Sequence, residues 1–423
     1  MKKKIINTRL FAASIFAHPL FSGSAVMIVG TNIANVIAYF YHLVLGRIMG
    51  PSEYGELASV ISLLGMFMVS FAFLGTVIIK FISSSEEKDV EALLSWFFKK
   101  AIIFGLIIGV VIFSFSKPIS VFLHVDRLII NLLGPIIFIS FMSLVFRSFL
   151  QGQMKFFKVA VLANSDMVGR LILGVVLVIY GWSVYGAVVG ILAATTVTFI
   201  LGKIFTGNYK IFKIKSSINN GKKILSYAVP IFFASFAINS FFSSDLLLVK
   251  HFFPPQDAGI YASLSTLGKI IFFAASPVAA VMFPMVSKRQ SKGHSYSKIF
   301  IYSLLITFFI SILVLTMYLL FPKLLIRIFY GSEFLEAANH LFSMGVFMAI
   351  FTMSSLIVNF YLSQGKTKVV IFIVIAALIQ VVGIWFYHES IREVIRISII
   401  AASLLLASLL LYFGYETKKN GSF

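Results

Sequence analysis

The chain contains no cysteine among its 423 residues, and it is poor in charge, with 12% charged residues and only 15 aspartates and glutamates. The absence of cysteine excludes disulfides, thiolate metal sites and thiol catalysis. Soluble domains carry about a quarter charged residues, so this composition excludes an ordinary soluble domain. The connections between apolar stretches are also too short for a soluble catalytic domain. We therefore expect no catalytic residues, no metal site, no cofactor and no enzymatic activity.

Apolar residues make up 60% of the chain, and the mean hydropathy is +1.01. A helix needs about 20 apolar residues to cross the hydrocarbon core of a membrane. Twelve stretches meet this requirement: 21–45, 57–79, 98–116, 128–148, 159–180, 184–205, 225–249, 257–283, 299–321, 339–362, 369–387 and 395–414. The sequence therefore predicts an all-α integral membrane protein with about twelve transmembrane helices.

The excess of 35 lysines and arginines over 15 acids follows the topology of the membrane. Basic residues concentrate in alternate connections, which is typical of cytoplasmic loops. This pattern predicts a multi-pass protein with both termini in the cytoplasm, and it explains the basic balance without a nucleic-acid partner. The first twenty residues are basic and mildly amphipathic and lack a cleavage site, so we expect an interfacial helix there rather than a signal peptide.

Two segments, 43–63 and 247–267, read as copies of one helix, turn and helix at an offset of 204 residues. The copies share Pro51 with Pro255 and Gly55 with Gly259, and the acid Glu53 corresponds to the acid Asp257. At the same offset, Asn35 before the first copy falls on Asn239 before the second. A second pair of segments, Gln151-Gly152 with Lys155 and Gln364-Gly365 with Lys368, matches at an offset of 213. A parallel duplication is used by membrane transporters that bind substrate between their halves.

The duplication divides the chain into two pseudo-symmetric six-helix lobes. An N-terminal lobe with its interfacial segment covers 1–205, a basic cytoplasmic linker covers 206–223, and a C-terminal lobe covers 224–423. Each lobe holds an even number of spans, so the halves are related by an axis along the membrane normal.

Four charged residues lie at least four residues inside the ends of predicted spans. An isolated charge in the middle of the bilayer costs on the order of 3 kcal/mol or more. Asp166 and Arg170 are four residues apart and share a helical face, as either an internal ion pair or part of a substrate site. Lys269 has no acid within one turn and is the leading candidate for a cationic cavity. Asp245 either pairs with Lys269 or Arg47, or couples transport to an ion, a role for which Asp166 is the other candidate.

Polar side chains also follow two of the predicted spans. Asn35 and Tyr39 lie on one face of the first span, and Asn239 lies on the corresponding seventh span. They are either interhelical hydrogen-bonding groups or facing walls of one cavity. Arg47, just beyond the first span, is either an interface anchor or a ligand for an anion.

Three motifs resemble those of the oligosaccharide flippases, or polysaccharide-biosynthesis exporters. They are the decapeptide 46–55, Asp245 leading to 259–261, and Gly268-Lys269 running to Phe283-Pro284. This family belongs to the multidrug/oligosaccharidyl-lipid/polysaccharide (MOP) transporter superfamily. The resemblance implies two six-helix lobes as in multidrug (MATE) transporters, a central cationic cavity, alternating access and a place in the prokaryotic cell membrane.

The resemblance further implies a cargo, a polyprenyl-diphosphate-linked oligosaccharide moved from the inner to the outer leaflet for cell-surface polysaccharide biosynthesis. Membrane lipids and glycan polymerase or ligase proteins are the expected partners. A cation-coupled multidrug exporter of the same superfamily is the alternative, although it favours an acid-dominated cavity. The fourteen-span lipid II flippases of the superfamily fit less well, because this chain has twelve predicted spans.

Overall fold

The computed structural model describes residues 19–420, except for 71, 84, 86, 208, 210–220, 292 and 293. The expected interfacial helix lies almost wholly outside the described residues, as does most of the expected linker 206–223. Every regular element in the described part of the chain is helical, which confirms the all-α fold class.

The helices differ in length from about two turns to a kinked run of 52 residues. In chain order they are α1 (Pro19–Ser70), α2 (Ala72–Ser83), α3 (Glu87–Leu123), α4 (Arg127–Gly152), α5 (Phe156–Leu177), α6 (Ser183–Thr206), α7 (Gly221–Phe252), α8 (Pro255–Ser291), α9 (Ser297–Leu320), α10 (Pro322–Phe329), α11 (Leu341–Ser363), α12 (Val370–Phe386) and α13 (Ile391–Asn420). A π-helical turn (Val178–Trp182) and two 3₁₀ segments (Ser332–Asn339 and Thr367–Val369) complete the set.

Nine helical runs of the described residues are long and apolar enough to cross a membrane. Two of these runs contain two spans each, because the helical geometry breaks at Gly50 (φ 73°) in α1 and at Gly181 (φ 88°) between α5 and α6. Helix α7, with 32 residues, is a further helix of sufficient length. The twelve spans expected from the sequence therefore all have helical counterparts.

The matched prolines begin the second helix of each repeated hairpin. Gly50 takes a positive φ that disfavours other residues, and the helix resumes at Pro51, where the missing N–H of proline costs nothing. Pro255 is likewise the first residue of α8. The glycine and proline pattern of the turn thus fixes where both hairpins reverse.

The described residues form two compact units. Unit 1 is drawn from 1–45, 71–120 and 126–228, and unit 2 from 46–70, 121–125 and 229–423. This grouping differs from a division at 206–223, because the segment 46–70 packs with unit 2 rather than with the helix that precedes it. The division into two six-helix lobes, 1–205 and 224–423, therefore remains a prediction from the sequence.

Within unit 2, the two copies of the repeated hairpin touch through bare backbone. A Cβ atom on Gly55 would lie 2.6 Å from the backbone nitrogen of Gly259, and one on Gly259 would collide with the carbonyl oxygen of Pro51. Small residues permit such close approach of membrane helices. The matched glycines of the repeat are therefore required by the packing of 51–70 against α8.

The second repeat match needs a correction of two residues. Helices α4 and α11 end at Gly152 and Ser363, and the left-handed residues of the following turns are Met154 (φ 58°) and Gly365 (φ 75°). The two helix ends are 211 residues apart, as are the two left-handed residues, whereas the sequence match gave 213. Lys155 of the first turn therefore corresponds to Lys366, and the shared Gln-Gly letters lie at different places in the two turns.

Unit 2 carries an insert between α9 and α11 that is much longer than the corresponding connection of the first half, between α3 and α4. The insert, 322–339, comprises α10 and the first 3₁₀ segment, whereas only 124–126 separate α3 from α4. Its Tyr330 hydroxyl lies 3.1 Å from that of Tyr54, which also lies 3.0 Å from the Thr266 hydroxyl. The insert thereby fastens the tip of the first hairpin to α8.

Candidate functional site

Asp245 of α7 is buried inside unit 2, with a relative exposure of 2%. The Tyr261 hydroxyl of α8 donates to its Oδ2 atom at 2.7 Å, and the backbone N–H of Leu246 donates to its Oδ1 atom at 2.8 Å. A buried carboxylate needs such donors, because removing it from water without them is costly. Each carboxylate oxygen therefore already has a donor from the protein.

Buried polar groups of the last two helices lie close to Tyr261. Tyr261 is fully buried, and the Ser398 side chain of α13 lies near its hydroxyl. The Ser398 hydroxyl accepts from the amide of Gln380 in α12 at 3.0 Å and donates to the Val394 carbonyl at 3.0 Å. Among the described residues, the Gln380 Oε1 atom has no hydrogen-bond partner. The Asp245–Tyr261 pair of α7 and α8 and the Gln380–Ser398 pair of α12 and α13 are thus two neighbouring polar contacts inside unit 2.

Lys269 lies in α8, two turns beyond Tyr261. Its ammonium is 5.7 Å from the centre of the Phe242 ring, within the range of a cation–π interaction. It also interacts electrostatically with Asp245, although no direct ion pair joins the two in the described part of the chain. Asp245 is thus the nearest acid to Lys269 in the electrostatic sense, and its oxygens are bonded elsewhere.

The charges of unit 1 are arranged differently. The Arg170 guanidinium bonds Asp166 at 2.7 Å, and the two side chains are 21% and 16% exposed. Arg147, an exposed residue of α4, also interacts electrostatically with Asp166. Asp166 Oδ1 and Arg170 Nε are buried without partners. The expected pair therefore exists, and each member keeps one atom available.

The remaining site candidates divide by exposure. In unit 1, Asn35 is exposed and Tyr39 is half-buried. In unit 2, Asn239 is half-buried, and its Nδ2 atom is buried without a partner. Arg47 is exposed and donates to the carbonyl oxygen of Ile328 in the insert, at 3.2 Å. Arg47 therefore contacts the same insert as Tyr54.

The sequence reasoning did not assign a role to Tyr261, Phe242, Gln380 or Ser398. Tyr261 belongs to one of the motifs that resemble the flippase family, but that motif does not indicate that its hydroxyl bonds Asp245. An apolar residue such as Phe242 carries no sequence signal for a cation contact. Among the described residues, no group of three or more histidines and acids is placed to hold a metal ion.

The family model described as "Polysaccharide biosynthesis protein" matches residues 44–339. An uncharacterised membrane protein of Methanocaldococcus jannaschii is 22% identical over 270 residues, which are 60% of this chain. The match spans 64% of that relative's length.

Solved structures share the fold at low sequence identity. The lipid II flippase MurJ in an inward closed conformation is similar, with a TM-score of 0.78, 16% identity, and coverage of 92% of this chain and 87% of that one. An inward-facing multidrug-resistance MATE family transporter of the MOP superfamily gives a TM-score of 0.74, 16% identity, and coverage of 93% and 99%. The fold is therefore that of the MOP transporters, and the chain belongs to the polysaccharide biosynthesis protein family.

Proposed function

We propose that the protein flips a polyprenyl-diphosphate-linked oligosaccharide from the cytoplasmic to the outer leaflet by alternating access. The observation that carries this proposal is the Lys269 ammonium, which lies within the membrane-spanning part of unit 2 and forms no direct ion pair with any residue that the structure describes. Charged groups at such depth mark substrate or ion pathways. An ammonium is a suitable point charge for a diphosphate.

The family description supports a role in polysaccharide biosynthesis. The fold is shared with a protein described as a lipid II flippase, which supports the movement of a lipid as the activity proposed here. The lipid tail of such a cargo can remain in the bilayer while the diphosphate and sugars need a polar path. The protein supplies that path and no covalent chemistry. The proposed place of action is a prokaryotic cell membrane, with both termini cytoplasmic and glycan polymerases or ligases as partners.

The membrane potential provides a driving force. An inside-negative potential moves an anion outward with about 2.3 kcal/mol per charge per 100 mV. Transport can therefore proceed without ATP when no countercharge travels with the cargo. Of the two carboxylates proposed for ion coupling, Asp166 has the more available oxygen, since its Oδ1 atom lacks a partner while both oxygens of Asp245 are bonded.

Asn35, Asn239 and Tyr39 are proposed to hydrogen-bond the glycan, and Arg170 and Arg47 to contribute positive charge along the path. Asn239 is the best supported of the amides, because its Nδ2 atom is a buried donor without a partner. Arg47 is the weakest cation of the set, because it is bonded to the insert at Ile328.

The test is flipping in proteoliposomes, with a fluorescent polyprenyl-diphosphate-linked oligosaccharide and a membrane-impermeant quencher. Lys269→Ala should slow flipping by about tenfold or more, because a hydrogen bond to a charged group contributes about 1.5–3 kcal/mol. Lys269→Arg should retain most of the rate. Lys298→Ala removes an exposed lysine at the start of α9 and serves as the matched control. An unchanged rate for folded Lys269→Ala protein would refute the proposal.

The alternative, a cation-coupled multidrug exporter, needs an acid that is available to a cationic drug. Asp245 does not meet that need, because Tyr261 and Leu246 already donate to its oxygens. Efflux of ethidium from the same vesicles distinguishes the two functions. Ethidium transport that depends on Asp245, together with no flipping of the lipid-linked oligosaccharide, would favour the exporter.

A further inference from the structure

Unit 2 contains a cavity of about 440 Å³ between α8, α9 and α11. Its volume falls within the roughly 300–1,000 Å³ of pockets that hold small molecules. The residues that matter to its chemistry are Phe272, Phe283, Thr307, Thr352, Ser355 and Asn359. No charged residue lines the cavity, so its interior suits a neutral ligand.

One hydroxyl at the cavity wall has no hydrogen-bond partner among the described residues. It belongs to Thr307, which lines the cavity and has 0% exposure, so its Oγ1 atom is buried just behind the cavity surface. Leaving a buried polar group unpaired is unfavourable, so a ligand that reaches this oxygen would gain a hydrogen bond. Asn359 adds a side-chain oxygen, because its Nδ2 atom is used by the Ser355 carbonyl at 2.9 Å. The lining thus presents both donors and acceptors.

Each of the two prolines of α8 leaves one main-chain carbonyl without its usual helical N–H donor. Pro277 has no N–H for the Phe273 carbonyl, and the Ser276 hydroxyl bonds that carbonyl instead, at 2.9 Å. Pro284 likewise cannot donate to the carbonyl of Ala280, and both residues line the cavity. The α8 wall therefore has a main-chain acceptor that an unbroken helix would have used internally.

The position of the cavity relates it to Lys269. Ser276 follows Lys269 by seven residues, which places both on nearly the same face of α8, about 10 Å apart along the axis. Phe242 connects the two places, since its ring lies under the Lys269 ammonium and 4.6 Å from the centre of the Phe272 ring. A diphosphate held at Lys269 would have its attached sugar next to the cavity.

We propose that this cavity is a subsite for a sugar ring of the lipid-linked oligosaccharide, an inference that rests on the proposed function. A sugar ring is neutral and rich in hydroxyls, which match the donors and acceptors of Thr307, Thr352, Ser355 and Asn359. The faces of Phe272 and Phe283 supply the apolar surface against which a ring can pack. The subsite selects glycan-bearing lipid, whereas Lys269 binds the diphosphate that all polyprenyl carriers share.

The experiment compares binding of two probes to the full-length protein in nanodiscs, measured by radioligand binding. One probe is undecaprenyl diphosphate bearing a single N-acetylglucosamine, and the other is undecaprenyl diphosphate alone. The wild type should prefer the sugar-bearing probe by about tenfold, because two or three added hydrogen bonds contribute roughly 0.5–1.5 kcal/mol each and part of that gain is offset by ordering of the sugar.

The triple variant Thr307→Val, Thr352→Val, Asn359→Leu should lose this preference while keeping the wild-type affinity for bare undecaprenyl diphosphate. Thr307→Val alone is nearly isosteric and should keep the fold. It should reduce the preference for the sugar-bearing probe about threefold, equivalent to a single weak hydrogen bond. Thr195→Val removes a buried threonine hydroxyl of unit 1 and is the matched control. Lys269→Ala should weaken both probes by the same factor.

The possible outcomes separate the two proposals. Equal wild-type affinity for both probes, or a preference that survives the triple variant, would overturn the sugar subsite and leave the flippase proposal intact if Lys269→Ala still weakens both. Competition by free N-acetylglucosamine at millimolar concentration, absent in the triple variant, would support the subsite. No binding of either probe to the wild type would overturn the proposed function itself.

Discussion

The charged groups of the two units differ in their burial and in the partners that they contact. In unit 1, Asp166 and Arg170 form an ion pair within one helix and remain partly exposed, with Arg147 of α4 in electrostatic range. In unit 2, Asp245 accepts from Tyr261 and from the backbone, while Lys269 lies over an aromatic ring and makes no direct contact with the acid. The first ion pair is formed by neighbouring residues of one helix. The second set of charges depends on the packing of α7 against α8 and keeps its cation available for an anionic ligand.

The largest expected difference in stability between the two units comes from exchanging the acidic and the basic residue within each unit. Asp245→Lys with Lys269→Asp places an ammonium against two donors, the Tyr261 hydroxyl and the Leu246 N–H, and should cost about 4 kcal/mol of unfolding free energy. Asp166→Arg with Arg170→Asp preserves a pair at the same spacing and should cost below about 1 kcal/mol. Denaturant titration of the detergent-solubilised protein measures both. Equal losses would remove the distinction between the two units.

Removing one acid at a time is the next largest effect. Asp245→Ala leaves the Tyr261 hydroxyl buried without its acceptor and should destabilise the protein by about 3 kcal/mol. Asp166→Ala should cost about 1 kcal/mol, because the Arg170 side chain is partly exposed and can reach water. The midpoint of thermal unfolding orders the two variants. Asp245→Asn retains an acceptor for Tyr261 and should fall between Asp245→Ala and the wild type.

A single hydroxyl of the unit 2 network can be removed with little change of shape. Tyr261→Phe deletes the 2.7 Å hydrogen bond to Asp245 and should cost about 1–2 kcal/mol. Tyr361 of α11 offers a comparison, because its hydroxyl is buried without a hydrogen-bond partner among the described residues. Tyr361→Phe should therefore change the unfolding midpoint less than Tyr261→Phe does, and the reverse order would contradict this account of the Asp245–Tyr261 hydrogen bond.

The smallest effect concerns the ring beneath Lys269. Phe242→Leu removes the cation–π contact, which is expected to contribute about 1 kcal/mol, and should weaken binding of undecaprenyl diphosphate by a few-fold. The neighbouring Phe241→Leu alters an apolar contact with Phe351, 5.0 Å between ring centres, and should leave that binding unchanged. Equal effects of the two variants would show that the ring contributes through packing alone.

The sequence predicted well what depends on local spacing. The i,i+4 relation of Asp166 and Arg170 gave an internal ion pair as one of two alternatives, and that pair is observed. The repeated Pro and Gly positions located both hairpins, whereas the backbone contact of Gly55 with Gly259 is known only from the structure. Hydropathy and turn residues also gave the order and the approximate limits of the helices, because membrane spans require long apolar runs.

What the sequence did not reveal depends on packing between helices. The sequence left open whether Asp245 pairs with Lys269, pairs with Arg47 or couples an ion, because it does not fix how α7 and α8 pack; the hairpin of these helices brings Asp245 into electrostatic range of Lys269. The partner of Asp245 is 16 residues away on that second helix. The turn offset of 211 was missed because identical letters do not fix the position of a left-handed residue. The insert 322–339 gave no repeat signal, since it has no counterpart of similar length in the first half.

The backbone crossing of Gly55 and Gly259 constrains how this chain can evolve. Neither glycine can gain a methyl group while the other remains in place, because the obstruction is main chain and cannot move aside as a side chain would. Substitutions at the surrounding positions do not relieve this constraint, since they leave the two main chains in contact. Both positions should therefore tolerate no side chain unless 51–70 and α8 move apart.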